Sequence, residues 1–486
     1  MEILEKMRCF MEPESIALIG VSRNTDSDSF NVLKNLIHYG FQGKIYPINP
    51  KANEILGFKA YTDIREIPED IDLAVIITPR GTVPDRVKEC TEKGVSALVI
   101  IAQGFADSDN EGKMLQEKVI EIARKGKTRI MGPNTFGVIN AYRGLSTALP
   151  RFELAKTPVG VISQSGIFFV GLSNIMFGKA IDIGDCCDID FADSLAYFED
   201  DNDIKVVLLH MEGVSDGQGF FEMANRVSNK KPLIALKSGR SEIGRIAAQS
   251  HTGSIVGKDE IYDAVFKETG VIRANDEEEA EDLIKSFLTF PPMKGKKIGV
   301  MTWAGSTGVI TVDACEKHGL KVIDLSGSTL DMIRKLSPPS WLPLGNPVDI
   351  WACMGLKGFN LANFRDEFKI ILEALLADEN SDGVVAIIPD FLVLFYSELW
   401  DISTVVKEAA EKYPNKPIAF SIFGPKGGLT EKLNETGKTV VFNSCEKAVN
   451  ALAKLNEYYE FVTTQVDRLK AKTVRTLQPS VFGLNT

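Results

Sequence analysis

The chain has 486 residues, 44% of them hydrophobic and 25% charged, and its 55 Lys and Arg against 66 Asp and Glu leave a net charge of −11. That is the composition of a folded globular protein, with length for about three domains of ~150 residues. The acidic balance, with no compensating Lys/Arg cluster, excludes nucleic acid as the main partner, and no apolar run is long enough to span a bilayer.

The N-terminal stretch MEILEKMRCF has no basic segment followed by an apolar one, so no secretory leader is expected. Seven cysteines (9, 90, 186, 187, 315, 353 and 445) form no CxxC pair. The odd count and the scatter argue against a disulfide framework or a zinc knuckle, and point to a reduced, cytoplasmic protein with no metal site of its own.

Residues 1–145 alternate short apolar runs with amphipathic stretches. The runs are Ser15–Gly20, Lys44–Asn49, Leu73–Thr78, Ala97–Ile101 and Arg129–Gly132, with helical patterns at Val32–Tyr39 and Gly112–Lys125. This alternation predicts a parallel sheet covered on both faces, a Rossmann-like domain. Ligands of such sheets sit beyond the carboxyl ends of the strands, where helix N-termini offer N–H groups to phosphates. GxGxxG is absent, and Lys51 of NPK stands where a ribose-binding acid would be. A lysine there suits a phosphorylated ribose or a pyrophosphate better than NAD. Taken alone, Lys51 reads as a solvated lysine after a turn.

The strings GVS, INPKANEILGFKAY, IPEDIDLAVIITP, GFAD and MGPNTFGVIN resemble the CoA-binding domain of succinyl-CoA synthetases and NDP-forming acyl-CoA synthetases. The resemblance implies that Gly20, Ser22, Lys51, Thr78 and Pro79 line a CoA pocket and that Asn134 lies near the acyl end. One departure is Ser29, where the family usually has glycine.

Residues 155–290 continue the alternation, with strands expected at Val159–Ser163, Lys205–His210 and Pro232–Leu236. This reads as a second, smaller, flavodoxin-like parallel sheet. SQSG, Ser163 to Gly166, is expected to open an apolar helix whose N–H groups attract an anion, although a serine N-cap is common for purely structural reasons. Glu212 follows an apolar run, where functional residues gather but where a surface acid in a turn is equally ordinary. His251 sits in AAQSHTGSIVG, whose small and polar residues read as a mobile loop. Imidazole is nucleophilic near neutral pH, and a carboxylate on one ring nitrogen fixes the tautomer and frees the other.

In this order and spacing, SQSG, MEGVSDG, KSGRSEIGRIAAQSHTGS and ETGVIRA resemble the ligase domain of NDP-forming acyl-CoA synthetases. The resemblance implies that His251 is phosphorylated, that Glu212 orients it, and that Ser165 and Gly166 hold the phosphate. Here too the chain departs from the family. IDIGDCCDID places Asp182 and Asp185 where the family tends to have a serine and an asparagine, and carboxylates near a phosphate repel it unless neutralised or turned away.

Residues 295–460 repeat the pattern. Strands are expected at Lys297–Thr302, Lys321–Leu325, Gly383–Pro389, Pro417–Ile422 and Thr439–Phe442, with helices near Phe364–Ala377 and Ile402–Lys412. Gly305, Ser306, Thr307 and Gly308 open a further helix, a second anion-ready start unless its glycines serve only close packing. This segment and its GNPVDI motif resemble the family's remaining flavodoxin-like domain. The resemblance implies that this helix faces the phosphohistidine, and that the two helix ends together offset much of a phosphoryl dianion. Residues 461–486 read as a polar tail, either a partner-contact arm or a disordered end.

The family's ATP-grasp half has no counterpart here, and no GxxxxGK[ST] loop replaces it. The resemblance therefore implies the α subunit of an ADP-forming acyl-CoA synthetase, in a hetero-oligomer whose ATP-grasp β subunit holds ADP/ATP and Mg²⁺. CoA and a carboxylic acid would be its other ligands. Two rivals are a non-catalytic CoA or acyl-CoA sensor of the same fold and, disfavoured by Lys51, a nicotinamide-dependent oxidoreductase.

Overall fold

The computed structural model describes residues 2–24, 26, 30–172, 175–252, 257–354, 363–390 and 400–477, and side chains are described for these except 2, 170–171, 248–252, 354 and 468–477. The departure at Ser29 lies outside the described residues. The chain forms two compact units, Met1–Glu281 and Asp282–Thr486.

The first unit begins with a five-stranded sheet of β1 (Ser15–Ile19), β2 (Lys44–Ile48), β3 (Leu73–Ile76), β4 (Ala97–Ile100) and β5 (Arg129–Met131). All neighbours are parallel, in the order β2-β1-β3-β4-β5. The apolar runs are strands because both faces are covered. Ile16 and Leu18 of β1 enter one core with Leu73 and Val75 of β3, while Ala17 and Ile19 enter another with Ala74 and Ile76. The helix Val32–Tyr39 starts at Asn31, whose side-chain oxygen accepts from the N–H groups of Leu33 (2.9 Å) and Lys34 (3.3 Å). It stops at Gly40, which turns left-handed with φ 73°.

The next strands are β6 (Gly137–Asn140), β7 (Leu145–Ser146), β8 (Val159–Ser163), β9 (Lys179–Asp182), β10 (Val206–Met211), β11 (Leu233–Lys237) and β12 (Ile272–Ala274). They form a seven-stranded sheet in the order β12-β11-β10-β8-β9-β6-β7. This sheet is larger than the first, contrary to the sequence expectation, because the hairpin β6–β7 joins its edge antiparallel to β9. Ile162, Ile181, Leu209 and Ala235 of this sheet share a core with one face of the first sheet, which ties the two into one unit.

The second unit holds a six-stranded parallel sheet of β13 (Lys297–Thr302), β14 (Lys321–Val322), β15 (Val348–Asp349), β16 (Gly383–Pro389), β17 (Ile418–Phe423) and β18 (Val440–Phe442). Its faces are covered by two cores, Val384, Ala386 and Ile388 facing one and Val385 and Ile387 the other. The helix Cys445–Leu477 runs into the stretch expected as a polar tail. Residues 478–486 of that expectation lie outside the described residues. Among the described residues no helix is long and apolar enough to cross a membrane.

The three sheets repeat one topology. In each, one strand is flanked on both sides by later parallel strands, β1 by β2 and β3, β8 by β9 and β10, and β13 by β14 and β16, so the chain winds one way and then the other. The crevice beyond the carboxyl ends of β1 and β3, of β8 and β10, and of β13 and β16 is where such sheets bind ligands.

Candidate active site

At the first crevice, Gly20 follows β1 and Thr78 follows β3. Gly20 has φ +85°, and a Cβ on it would lie 2.5 Å from Thr78 Cγ2, so only glycine lets the two loops close here. The Thr78 hydroxyl is buried with no hydrogen-bond partner among the described residues, and Pro79 next to it is exposed. Ser22 is exposed; its hydroxyl accepts from Asn24 N–H (3.0 Å), and its carbonyl from the Asn31 side-chain amide (3.1 Å). Lys51 is exposed, and its carbonyl accepts from the Arg23 guanidinium at 3.2 Å. The Arg23 guanidinium thus reaches the main chain of the loop that carries Lys51. Sequence reasoning singled out Lys51 and passed over Arg23, although the IGVSR string carried that signal.

At the second crevice, Gln164 follows β8 and Glu212 follows β10. The Gln164 side-chain carbonyl accepts from the N–H groups of Glu212 (2.6 Å) and Gly213 (2.9 Å). Gln164 and Glu212 are both buried. This glutamine, first read only as part of the SQSG string, holds the glutamate's backbone. The Ser163 hydroxyl accepts from Ser165 N–H (3.0 Å) and lies 3.1 Å from His210 Nδ1. The His210 ring stacks on Phe168 at 4.3 Å between centroids. The helix expected after SQSG is a single turn, Phe168–Gly171, so little macrodipole backs the N–H groups of Ser165 and Gly166.

The two crevices share a cavity of about 620 Å³. Thr78, Pro79 and Asn134 line it from the first sheet's loops, and Gln164, Ser165 and Gly166 from the second's. Gly20, Ser22, Lys51 and Glu212 are not among its lining residues. Arg80 also lines it; its guanidinium donates to Gly104 O (2.7 Å) and pairs with Asp109 (3.1 Å). Its place directly after a strand end, in ITPRG, was the missed signal.

Both departing acids are at this site. Asp182 ends β9 and lines the cavity, 1% exposed. Its Oδ2 accepts from Phe136 N–H (2.7 Å) and its Oδ1 from Gly184 N–H (3.2 Å). Burial pushes its carboxyl up to about 7 against the pull of those donors, and Glu212 adds to the rise. Asp185 takes the Asn134 side-chain amide at 3.2 Å, while its other oxygen is buried with no partner among the described residues. Burial and the neighbouring Asp107 push Asp185 up to about 8. Lys237 is buried at the end of β11, its ammonium 4.6 Å from the centre of the Tyr262 ring, and burial lowers it to about 8.

His251 falls in the last turn of the helix Glu242–Thr252, a helix where a loop was expected. Its side chain and residues 253–256 lie outside the described residues, so its approach to Glu212 is not described. Gly305, Ser306, Thr307 and Gly308 open the helix Gly305–Lys317 in the second unit. Gly305 and Ser306 are exposed, and Gly305 lines a cavity of about 210 Å³ with Thr302, Pro347 and Asp349.

Residues 14–141 match the CoA binding domain, and residues 156–287 the succinyl-CoA ligase like flavodoxin domain. The chain is 36% identical to the acetate–CoA ligase [ADP-forming] I subunit alpha of Pyrococcus furiosus, over 93% of this chain and 97% of that one. It is 43% identical to the acetate–CoA ligase [ADP-forming] of Methanocaldococcus jannaschii over 70% of its length, and spans 48% of that longer relative. The structure of the dinucleotide forming acetyl-coenzyme A synthetase 1 of Ca. Korarchaeum cryptofilum, in complex with phosphate and ADP, superposes with a TM-score of 0.82. That match has 29% identity and covers 95% of this chain and 98% of the other. Matched along nearly its whole length to an alpha subunit of this kind, and with a CoA-binding domain leading into the ligase fold, the chain belongs to the ADP-forming acetate–CoA ligase family.

Proposed function

We propose that this chain is the α-type subunit of an ADP-forming acyl-CoA synthetase. It interconverts acyl-CoA, phosphate and ADP with carboxylate, CoA and ATP. The observation that carries this reading is the shared cavity, where Thr78 and Asn134 of the CoA-binding half meet Ser165 and Gly166 of the ligase half. Arg23 and Lys51 suit the phosphates of CoA, and the orphaned Thr78 hydroxyl suits a polar atom of the same ligand.

A phosphate oxygen attacks the thioester carbonyl carbon, and the C–S bond breaks with CoA leaving as the thiol after taking a proton. Ser165 and Gly166 hold the phosphate. The imidazole of His251 then attacks phosphorus, and the carboxylate leaves with the bridging oxygen. Glu212 fixes the tautomer of that ring, and Gln164 fixes Glu212. The helix start at Gly305, Ser306, Thr307 and Gly308 is a second N-terminus suited to a phosphoryl group. ADP and Mg²⁺ sit on an ATP-grasp β subunit, where an ADP oxygen attacks phosphorus and the P–N bond breaks. The naming of the Pyrococcus relative as an alpha subunit supports a partner, and the phosphate and ADP bound by the Korarchaeum protein support these ligands.

The test is labelling. Incubated with a panel of acyl-CoAs and ³²P-phosphate, the chain should acquire an acid-labile label that is absent in H251A. ADP, Mg²⁺ and the β subunit should chase it into ATP. No label with any acyl-CoA overturns the reading.

A further inference from the structure

Resting on that reading of Ser165 and Gly166 as a phosphate cradle, we propose that Asp182 determines anion specificity there. Its carboxyl group shares one proton with inorganic phosphate, and thereby rejects tetrahedral dianions that carry no proton.

The geometry sets Asp182 against the cradle. A Cβ built on Gly166 would lie 2.8 Å from Asp182 Oδ2, so the carboxyl rests directly on the glycine. It is 1% exposed and lines the same cavity as Ser165. Each of its oxygens takes one main-chain N–H, from Phe136 and from Gly184, and a carboxylate oxygen has room for a second donor.

Among the described residues no Lys or Arg forms an ion pair with Asp182. Glu212 beyond β10 and Asp185 on the following turn are both acidic, and Asp107, after β4, lies beside Asp185. Arg80 is the one Lys or Arg lining the cavity among the described residues, and it is committed to Gly104, Asp109 and Glu111. His210, on β10, is turned to the Ser163 hydroxyl. An anion entering here meets a carboxyl that only a proton can make compatible with it.

Phosphate brings that proton. Hydrogen phosphate donates its O–H to the ionised carboxylate, or the protonated carboxyl donates to the phosphate; the count of protons is the same. Sulfate has no proton near neutral pH, so it binds only while Asp182 is itself protonated. Burial, opposed by the two N–H donors, holds Asp182 near 7, which brings this distinction into the neutral range.

The experiment is equilibrium dialysis of the full chain with ³²P-phosphate and ³⁵S-sulfate from pH 6.0 to 8.5. In the wild type above about pH 7.5, where the free partners are the ionised carboxylate and hydrogen phosphate, sulfate affinity should fall by about tenfold per pH unit while phosphate affinity changes by less than about threefold. By pH 8.5 phosphate is preferred by at least ~30-fold. In D182N the two anions should bind within about threefold of each other at every pH. Asparagine cannot accept from both N–H groups, so D182S, which leaves room for water there, is measured beside it. Equal binding of both anions by the wild type at pH 8.5, or an unchanged preference in both variants, overturns the proposal and leaves the phosphate cradle standing. Failure of the wild type to bind phosphate, together with failure to label His251, overturns both.

Discussion

Replacing Gln164 with leucine tests whether Glu212 is held in place or merely happens to lie there. Leucine fills the space but removes the acceptor of two buried N–H groups, at 2.6 and 2.9 Å. Each buried donor left unpaired costs about 1–3 kcal/mol, so Q164L should lose about 2–6 kcal/mol. At ~2–4 °C per kcal/mol for a unit of this size, that is a drop of roughly 4–24 °C in melting temperature. Released from Gln164, the Glu212 carboxylate shifts, and a misplacement near 1 Å costs about 100-fold in rate. Q164E is the control: it keeps an acceptor for both N–H groups and should stay within about 1 kcal/mol of the wild type near pH 6. Its added charge beside Glu212 and Asp182 should still weaken phosphate binding. The assays are thermal melting of the full chain and the rate of acid-labile labelling. A Q164L variant that melts with the wild type and labels at the wild-type rate refutes the reasoning.

Three further outcomes follow from single positions. G20A should destabilise the chain by about 1–3 kcal/mol, because its Cβ would lie 2.5 Å from Thr78 Cγ2 at φ +85°. G20A/T78S, which lacks that methyl, should recover part of the loss in a melting double-mutant cycle. T78V deletes a buried hydroxyl without a partner, so it should raise stability by about 1 kcal/mol while weakening CoA binding about tenfold by titration. Finally, Asp182 is raised from 3.8 to about 7 in the folded chain. Its folded form holds the proton more tightly, so that stabilisation is full below pH 4 and is lost as pH rises through 7. A shift of that size is worth up to about 4 kcal/mol, so melting should fall between about pH 4 and pH 7 and level off above about pH 8, less steeply in D182N.

The strands were legible because burial on both faces leaves an unbroken apolar signature. Val159–Ser163, Lys297–Thr302 and Gly383–Pro389 stand as expected to the residue. So do the helices Val32–Tyr39 and Phe364–Ala377, whose apolar positions recur at helical spacing. The hairpin at 137–146 was not legible as part of the second sheet. Its strands of four and two residues are too short to show a period, and their partner β9 begins more than 30 residues further on. Nor was the single-turn helix after SQSG, since FFVG continues apolar in either case.

The site obeys a different logic, because its decisive contacts cross the topology. Asn134 and Asp185 are 51 residues apart, and Gln164 and Glu212 are 48 apart. No pattern along the chain pairs such residues. What pairs them is strand order: β8 beside β10 brings Gln164 to Glu212, and β6 antiparallel to β9, with Gly137 opposite Asp182, brings Asn134 to Asp185. The sequence marks those loops only as short polar strings after apolar runs, which are also the mark of any turn. The same order explains why Asp182 matters. It ends β9, beside the strand that runs into Ser165, with Ser163 opposite Asp182 in the register. A carboxylate in a turn elsewhere would be solvated, whereas at this strand end it is shut in against Gly166 and its charge has to be settled by whatever occupies the cavity.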